Sequence, residues 1–65
     1  MKVIYDKQTD TLSIIMRNEF VDKSDEVSPG LILDYDKAGC LVSIELLDAA
    51  GQVGYPDAVE FTLTG

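Results

Sequence analysis

The chain contains no histidine and no tryptophan, a single cysteine, and five basic residues against 12 acidic ones. Each shortage closes a class of chemistry. Without histidine, no Ser-His or Cys-His nucleophile pair and no imidazole acid–base step can be assembled. A lone cysteine, Cys40, forms no internal disulfide, which removes the stapled secreted mini-protein class. It also leaves a structural zinc site short of ligands. With no resolving cysteine beside it, Cys40 reads as an inert, reduced surface thiol. The formal net charge of −7 is repelled by phosphate backbones, so no nucleic-acid partner is expected. The apolar stretches Leu12–Met16, Leu31–Leu33 and Ile44–Leu47 fall far short of the ~20 residues that cross a bilayer. Lys2, Asp6, Lys7 and Asp10 interrupt the N-terminal segment, which excludes a signal-peptide pattern there. The expected compartment is the cytoplasm, without a membrane partner. No catalytic, cofactor-binding or metal-ligating residue stands out, and the expectation is a non-enzyme without a cofactor.

What is present is globular in kind. Hydrophobic residues make up 46% and charged residues 26% of the 65 positions, close to the average for soluble domains. The length suits one domain over residues 1–65. A domain of about 60 residues buries only about 60% of its unfolded surface. Its stability is expected on the order of 3–10 kcal/mol. With no disulfide or metal to help, association with another chain is the remaining way to enlarge the core.

A short internal repeat organises the chain. Tyr5-Asp6-Lys7 recurs thirty positions later as Tyr35-Asp36-Lys37, and Ser13-Ile14 recurs as Ser43-Ile44. Leu12 aligns with Val42, and Val3 with Leu33. Each copy reads as apolar strand, Tyr-Asp-Lys turn, apolar strand. Either the unit is duplicated, or two hairpins with similar turns look alike. The apolar period is two. Leu12, Ile14 and Met16 share a face, as do Val42, Ile44 and Leu46, and Leu31, Leu33 and Tyr35. Ile15, Ile32, Leu41 and Leu47 add apolar side chains to the opposite faces, so these strands belong in the middle of something. Val21–Val27 reads as a charged, exposed edge strand, and Ser28-Pro29-Gly30 as a turn. Asp48 is placed to cap one helical turn through Ala49-Ala50, which Gly51, Gly54 and Pro56 keep short. Val59, Phe61 and Leu63 alternate with Glu60, Thr62 and Thr64, which predicts a C-terminal strand over Ala58–Thr64. The expected fold is α+β and mainly β. It is an antiparallel meander of four to five strands built from two similar hairpins, with one short helical turn and a C-terminal strand.

The segment from Gly30 through Leu-Ile-Leu-Asp-Tyr-Asp-Lys to Ala50 resembles the hallmark of the DUF2283 family, small prokaryotic proteins with a domain of unknown function. Val3-Ile-Tyr-Asp and Asp10-Thr-Leu-Ser-Ile resemble that family's first hairpin. Together these cover about residues 2–50. Cys40 and Ser43 depart from the family's usual polar residue and glycine, and Gly51-Gln-Val-Gly is neutral where basic residues commonly follow. The resemblance implies a fold and carries over no site residue.

Two constellations remain. Asp34, Asp36 and Glu45 match positions one, three and twelve of an EF-hand loop, with Gly39 at six. However, Ala38 at position five offers no oxygen, and the flanks read as strands. A weak cation- or small-ligand-binding domain on these acids is therefore the alternative function. Asp22, Asp25 and Glu26 form either a solvated edge or a surface for a basic partner. The leading expectation is a non-enzymatic protein–protein interaction module, in one version an acidic, antitoxin-like partner of a basic protein. A homodimer is expected as well. Leu12, Ile14, Leu33, Val42, Ile44 and Leu46 fill one side of a sheet. That leaves Ile15, Ile32, Leu41, Leu47 and Phe20 for a partner, with the acidic loop Asp22–Glu26 away from the contact.

Overall fold

Alternating apolar residues and short polar turns build one open antiparallel sheet. The computed structural model describes every residue from Met1 to Gly65. Five strands follow in chain order: β1 (Lys2–Asp6), β2 (Thr11–Ile15), β3 (Lys23–Ser28), β4 (Leu31–Tyr35) and β5 (Leu41–Leu46). One short helix, α1 (Ala49–Val53), comes after them. The spatial order is β1-β2-β5-β4-β3. The expected simple meander is thus corrected: β2 pairs with β5, not with β3. The physical reason lies in the side chains. β2 and β5 are apolar on both faces and take the centre, whereas β3 (KSDEVS) is exposed at all six positions and takes an edge. Charged side chains on an edge also discourage pairing with other chains.

The thirty-residue repeat is a structural one. Val3 pairs with Ile14 and Ile4 with Ser13 in the first hairpin. Thirty residues on, Leu33 pairs with Ile44 and Asp34 with Ser43. The two hairpins meet along β2 and β5, where Ile14 lies opposite its own counterpart, Ile44. A pseudo-two-fold axis therefore passes between these two residues and relates β1-β2 to β5-β4. The copies differ at one place. The second turn uses Gly39 at φ 84° in a three-residue loop closed by Asp36 and Cys40. The residue saved there reappears as a bulge, because Asp34 pairs with Ser43 but Tyr35 with Leu41. The bulged Val42 carbonyl accepts hydrogen bonds from Met16 N at 2.9 Å and Arg17 N at 3.3 Å. That anchors the chain as it leaves β2.

Helix α1 closes the opposite end of the sheet. Asp48 was expected to cap it, but Asp48 sits in the left-handed region at φ 51° and its side chain makes no capping bond. Asp10, also left-handed at φ 52°, caps the helix instead, from the first turn. Its carbonyl accepts Ala49 N–H at 2.9 Å, and its carboxylate accepts Ala50 N–H at 3.1 Å. Gln52 Nε2 donates to the Gly30 and Leu47 carbonyls at 3.2 and 2.5 Å. A side chain at Gly30 would collide with that amide, 2.9 Å from an ideal Cβ, and Gly30 also needs φ +77°.

The predicted C-terminal strand over Ala58–Thr64 does not form. This segment has no regular structure and is exposed throughout. A strand needs a ladder, and this segment bonds to none: β2, β4 and β5 are flanked on both sides, and the outer sides of β1 and β3 stay unpaired within the chain. Burial is correspondingly thin. Leu12, Val42 and Ala49 are the buried hydrophobic residues of the core.

Candidate functional site

Because paired residues across a sheet share a face, the register sorts the side chains into two surfaces. One surface is apolar. It carries Val3, Leu12, Ile14, Ile44, Leu46, Leu31 and Leu33, with Tyr5 and Tyr35 at its rim. Of the isoleucines and leucines here, Leu12 is buried, while Ile14, Ile44, Leu33, Leu31 and Leu46 stay half-buried. No second layer covers the sheet, and the molecule is a slab of 35 × 32 × 19 Å. A compact monomer of 7.1 kDa exposes about 4,100 Å², and this chain exposes 5068 Å². The difference, about 1,000 Å², includes the exposed C-terminal segment with Tyr55, Val59, Phe61 and Leu63, and Phe20. The radius of gyration is likewise 12.5 Å where about 10.7 Å is usual for 65 residues.

The other surface carries Ile4, Ile15 and Ile32 around a polar knot. Asp34, only 3% exposed, accepts Ser24 Oγ–H at 2.6 Å and Ser43 Oγ–H at 2.7 Å. Glu45, two residues along β5 from Ser43, shares this face with Asp34. Burial pushes the Asp34 carboxyl up. The neighbours Ser24, Ser43 and Glu45 outweigh that effect and hold it below its ordinary value. The nearby Asp34 carboxylate, together with burial, pushes Glu45 above its own. Sequence reading missed Ser24 and Ser43 here. The signal was available in the repeat, which places Asp34 opposite Ser43 as it places Ile4 opposite Ser13.

This pair sets a pH dependence. Glu45, raised in the folded state, stabilises the fold below its unfolded value and loses that contribution as pH rises through the folded one. Asp34, lowered, stabilises above its unfolded value and loses that contribution as pH falls. Stability from the pair therefore peaks in mildly acidic solution, between the ordinary Asp and Glu values of 3.8 and 4.5. Glu45→Gln places a donor beside Asp34 and removes the second charge. It is expected to raise the melting temperature at pH 7 by a few degrees, with at most about 1 kcal/mol involved because Glu45 is partly solvated. Melting curves from pH 4 to 8 check this, and the variant's profile should be flatter on the neutral side.

Asp36 is not part of the knot. Its carboxylate accepts Arg17 Nη2 at 2.6 Å and the backbone N–H groups of Ala38 and Cys40 at 3.0 and 2.9 Å. Arg17 first, then the Cys40 amide, hold it below the ordinary carboxylate value. Asp34, Asp36 and Glu45 do not converge, and no group of three or more acidic or thiol side chains is placed to hold a metal ion. The EF-hand-like spacing is hairpin chemistry. Tyr5 donates to Asp10 at 2.7 Å, and that bond raises its phenol above the ordinary value. Cys40 is an exposed free thiol in the turn. Asp22 lies beside the β3–β4 edge, where its N–H donates to the Tyr35 carbonyl at 2.8 Å. Asp25 and Glu26 lie on β3 itself. The surface depressions are shallow. One lies between the Glu19–Asp22 segment and the Asp36–Ala38 turn, with Phe20 on its wall and almost fully exposed.

Two hairpins of matched register frame the fold, with Asp34-Tyr35-Asp36 at the second turn. The model for DUF2283, described as a protein of unknown function, matches residues 2–49. The chain belongs to the DUF2283 family. No curated protein and no solved structure matches it. The DUF2283 match spans β1 to β5 and stops at the first residue of α1, so the C-terminal segment lies outside it. No helix of this DUF2283 chain is long and apolar enough to cross a membrane.

Proposed function

We infer that the chain is a non-enzymatic protein-interaction module of the cytoplasm, and that its working surface is the open apolar face of the sheet. The observation that carries this reading is the face itself: Ile14, Ile44, Leu31, Leu33 and Leu46 stand in register and stay half-buried, with no second layer over them. Asp34 is engaged by Ser24 and Ser43, and Glu45 shares its face, so in this reading both carboxyls serve the fold. The charge of −7 favours a partner with a basic rim around an apolar centre, as an acidic antitoxin-like protein meets its target, and speeds that encounter at low salt.

Ile44, opposite Ile14 at the middle of the face, is the position to test. Tagged wild-type chain, cross-linked in its source cells at native level, is expected to recover a stoichiometric protein partner. Ile44→Lys puts a charge at the centre of the contact and is expected to weaken binding about 100-fold. Its far-ultraviolet circular dichroism should be unchanged. Recovery of the wild-type chain without any partner, or equal recovery by the variant, would overturn the reading.

A further inference from the structure

The sheet has two edges, and they are built differently. β3 presents Lys23, Asp25 and Glu26 and carries an irregularity between Glu26 and Ser28. Both features hinder strand addition. β1 presents Val3, Ile4 and Tyr5 between Lys2 and Asp6, with no net charge, no bulge and no proline. The pseudo-two-fold axis makes the comparison sharp. The outer side of β1 corresponds to the side of β4 that β3 occupies, so the first hairpin lacks the flanking strand that the second one has.

The chain also carries a strand sequence without a ladder. Val59, Phe61 and Leu63 alternate with polar residues and are 65%, 76% and 87% exposed. From Val59 onward the backbone makes no hydrogen bond to other backbone. The helix that leads into the segment is tied to the end of β1: Asp10 accepts both the Tyr5 O–H at 2.7 Å and the Ala50 N–H at 3.1 Å, and Pro56 is buried. The seven residues Ala58–Thr64 extend over about 23 Å, against about 17 Å for the five of β1. This segment lies outside the residues matched by the family model, as an addition to the sheet rather than part of it.

We propose that Ala58–Thr64 of one chain adds as an antiparallel sixth strand to the β1 edge of a second copy, and that the reciprocal exchange forms a two-fold homodimer. The inference goes beyond the interaction-module reading, because it uses a sheet edge and not the apolar face. Antiparallel pairing mirrors what β3 does on β4. The register follows from faces and charges. Val59 and Phe61 belong on the face of Tyr5 and Val3, and setting Val59 opposite Tyr5 and Phe61 opposite Val3 brings Glu60 opposite Ile4. Of the two shifts by two residues, one sets Glu60 against Asp6, a like-charge pair, and the other sets Glu60 against Lys2 but brings Pro56, which lacks an N–H, into the ladder. A second copy is the occupant for two reasons. The single chain leaves its own edge empty, and exchange satisfies both edges at once. Charge agrees as well: Asp25 and Glu26 sit on the far edge, four strand spacings or about 19 Å from β1.

Sedimentation equilibrium at tens of micromolar is the first test. The full chain is expected at twice its 7.1 kDa mass, somewhat more tightly associated at about 150 mM salt than at low salt, because screening weakens the repulsion between two acidic chains. Phe61→Pro breaks the added ladder at a position exposed in the single chain, and is expected to raise the dissociation constant at least about tenfold. A second test mixes two preparations, both carrying Cys40→Ser, one with Ile4→Cys and the other with Glu60→Cys. Oxidation should yield a cross-linked dimer well above that of either preparation alone. Three results would each overturn the exchange. One is a dimer that Phe61→Pro leaves unchanged, and another is a full chain that stays at 7.1 kDa. The third is a disulfide between the two introduced thiols that forms only within single chains carrying both substitutions. Ile44→Lys separates the two readings, since it should spare this dimer and lose the face partner.

Discussion

Replacing Leu12 by alanine is expected to cost about 2–4 kcal/mol and to leave much of the chain unfolded in mild denaturant. Leu12 is 6% exposed and is one of three buried hydrophobic residues. It stands in the first β2 pair with β5, opposite Leu46, and opposite Tyr5 on β1. Truncating it removes apolar contact from three strands at once. In a chain of 65 residues the whole stability is on the order of 3–10 kcal/mol, so this one cavity consumes a large share of it. Urea unfolding at fixed protein concentration, followed by circular dichroism, measures the loss. The same truncation at Ile14, half-buried on the open face, should cost about half as much, because less surface returns to water. Equal losses at the two sites would show that the open face is covered in solution.

Asp34→Ala is expected to destabilise by about 2–4 kcal/mol at pH 7, although the residue is polar. The carboxylate accepts two hydroxyl hydrogen bonds while almost fully buried. Alanine would leave the Ser24 and Ser43 hydroxyls and the Glu45 carboxyl facing an empty space on the sheet. Ser43→Ala removes one donor and is expected to cost about 1 kcal/mol. Combining the two substitutions should cost less than their sum, because the serine no longer has a lost acceptor. Denaturant midpoints for the two single variants and the double variant check this. Additive losses would mean that Ser43 finds another acceptor.

Much of the sheet was legible along the chain. The period of two in Leu12–Met16 and Val42–Leu46 marked strands and their faces. The recurrence of Tyr-Asp-Lys marked two hairpins, and the register confirms their equivalence. The charged segment after Phe20 marked an edge, and β3 takes that place. Gly54 marked the end of the helix, whereas Gly51, also expected to keep it short, lies inside it. Alternation alone misled at Ala58–Thr64, because a strand pattern states which faces differ and says nothing about whether a neighbour is free to bond. At Asp34, Asp36 and Glu45 the strand flanks and Ala38 already spoke for a hairpin against the loop-like spacing, and the structure agrees. A count of positions along a loop does not record that pleating sends Asp34 into the sheet surface and Asp36 into its own turn.

Local chemistry thus determined, by itself, the mainly β class, the two hairpin units, the exposed acidic edge and the absence of an imidazole or disulfide chemistry. These follow from side-chain period, turn residues and composition, which act between near neighbours in the chain. Only the tertiary structure decided that β2 meets β5 with Ile14 against Ile44, that Asp10 instead of Asp48 caps α1, and that Ser24 and Ser43 converge on Asp34. Each joins residues separated by many positions, and such contacts depend on which strands become neighbours. That choice was made by burying the strands apolar on both faces at the centre, a balance over the whole sheet that no single segment contains.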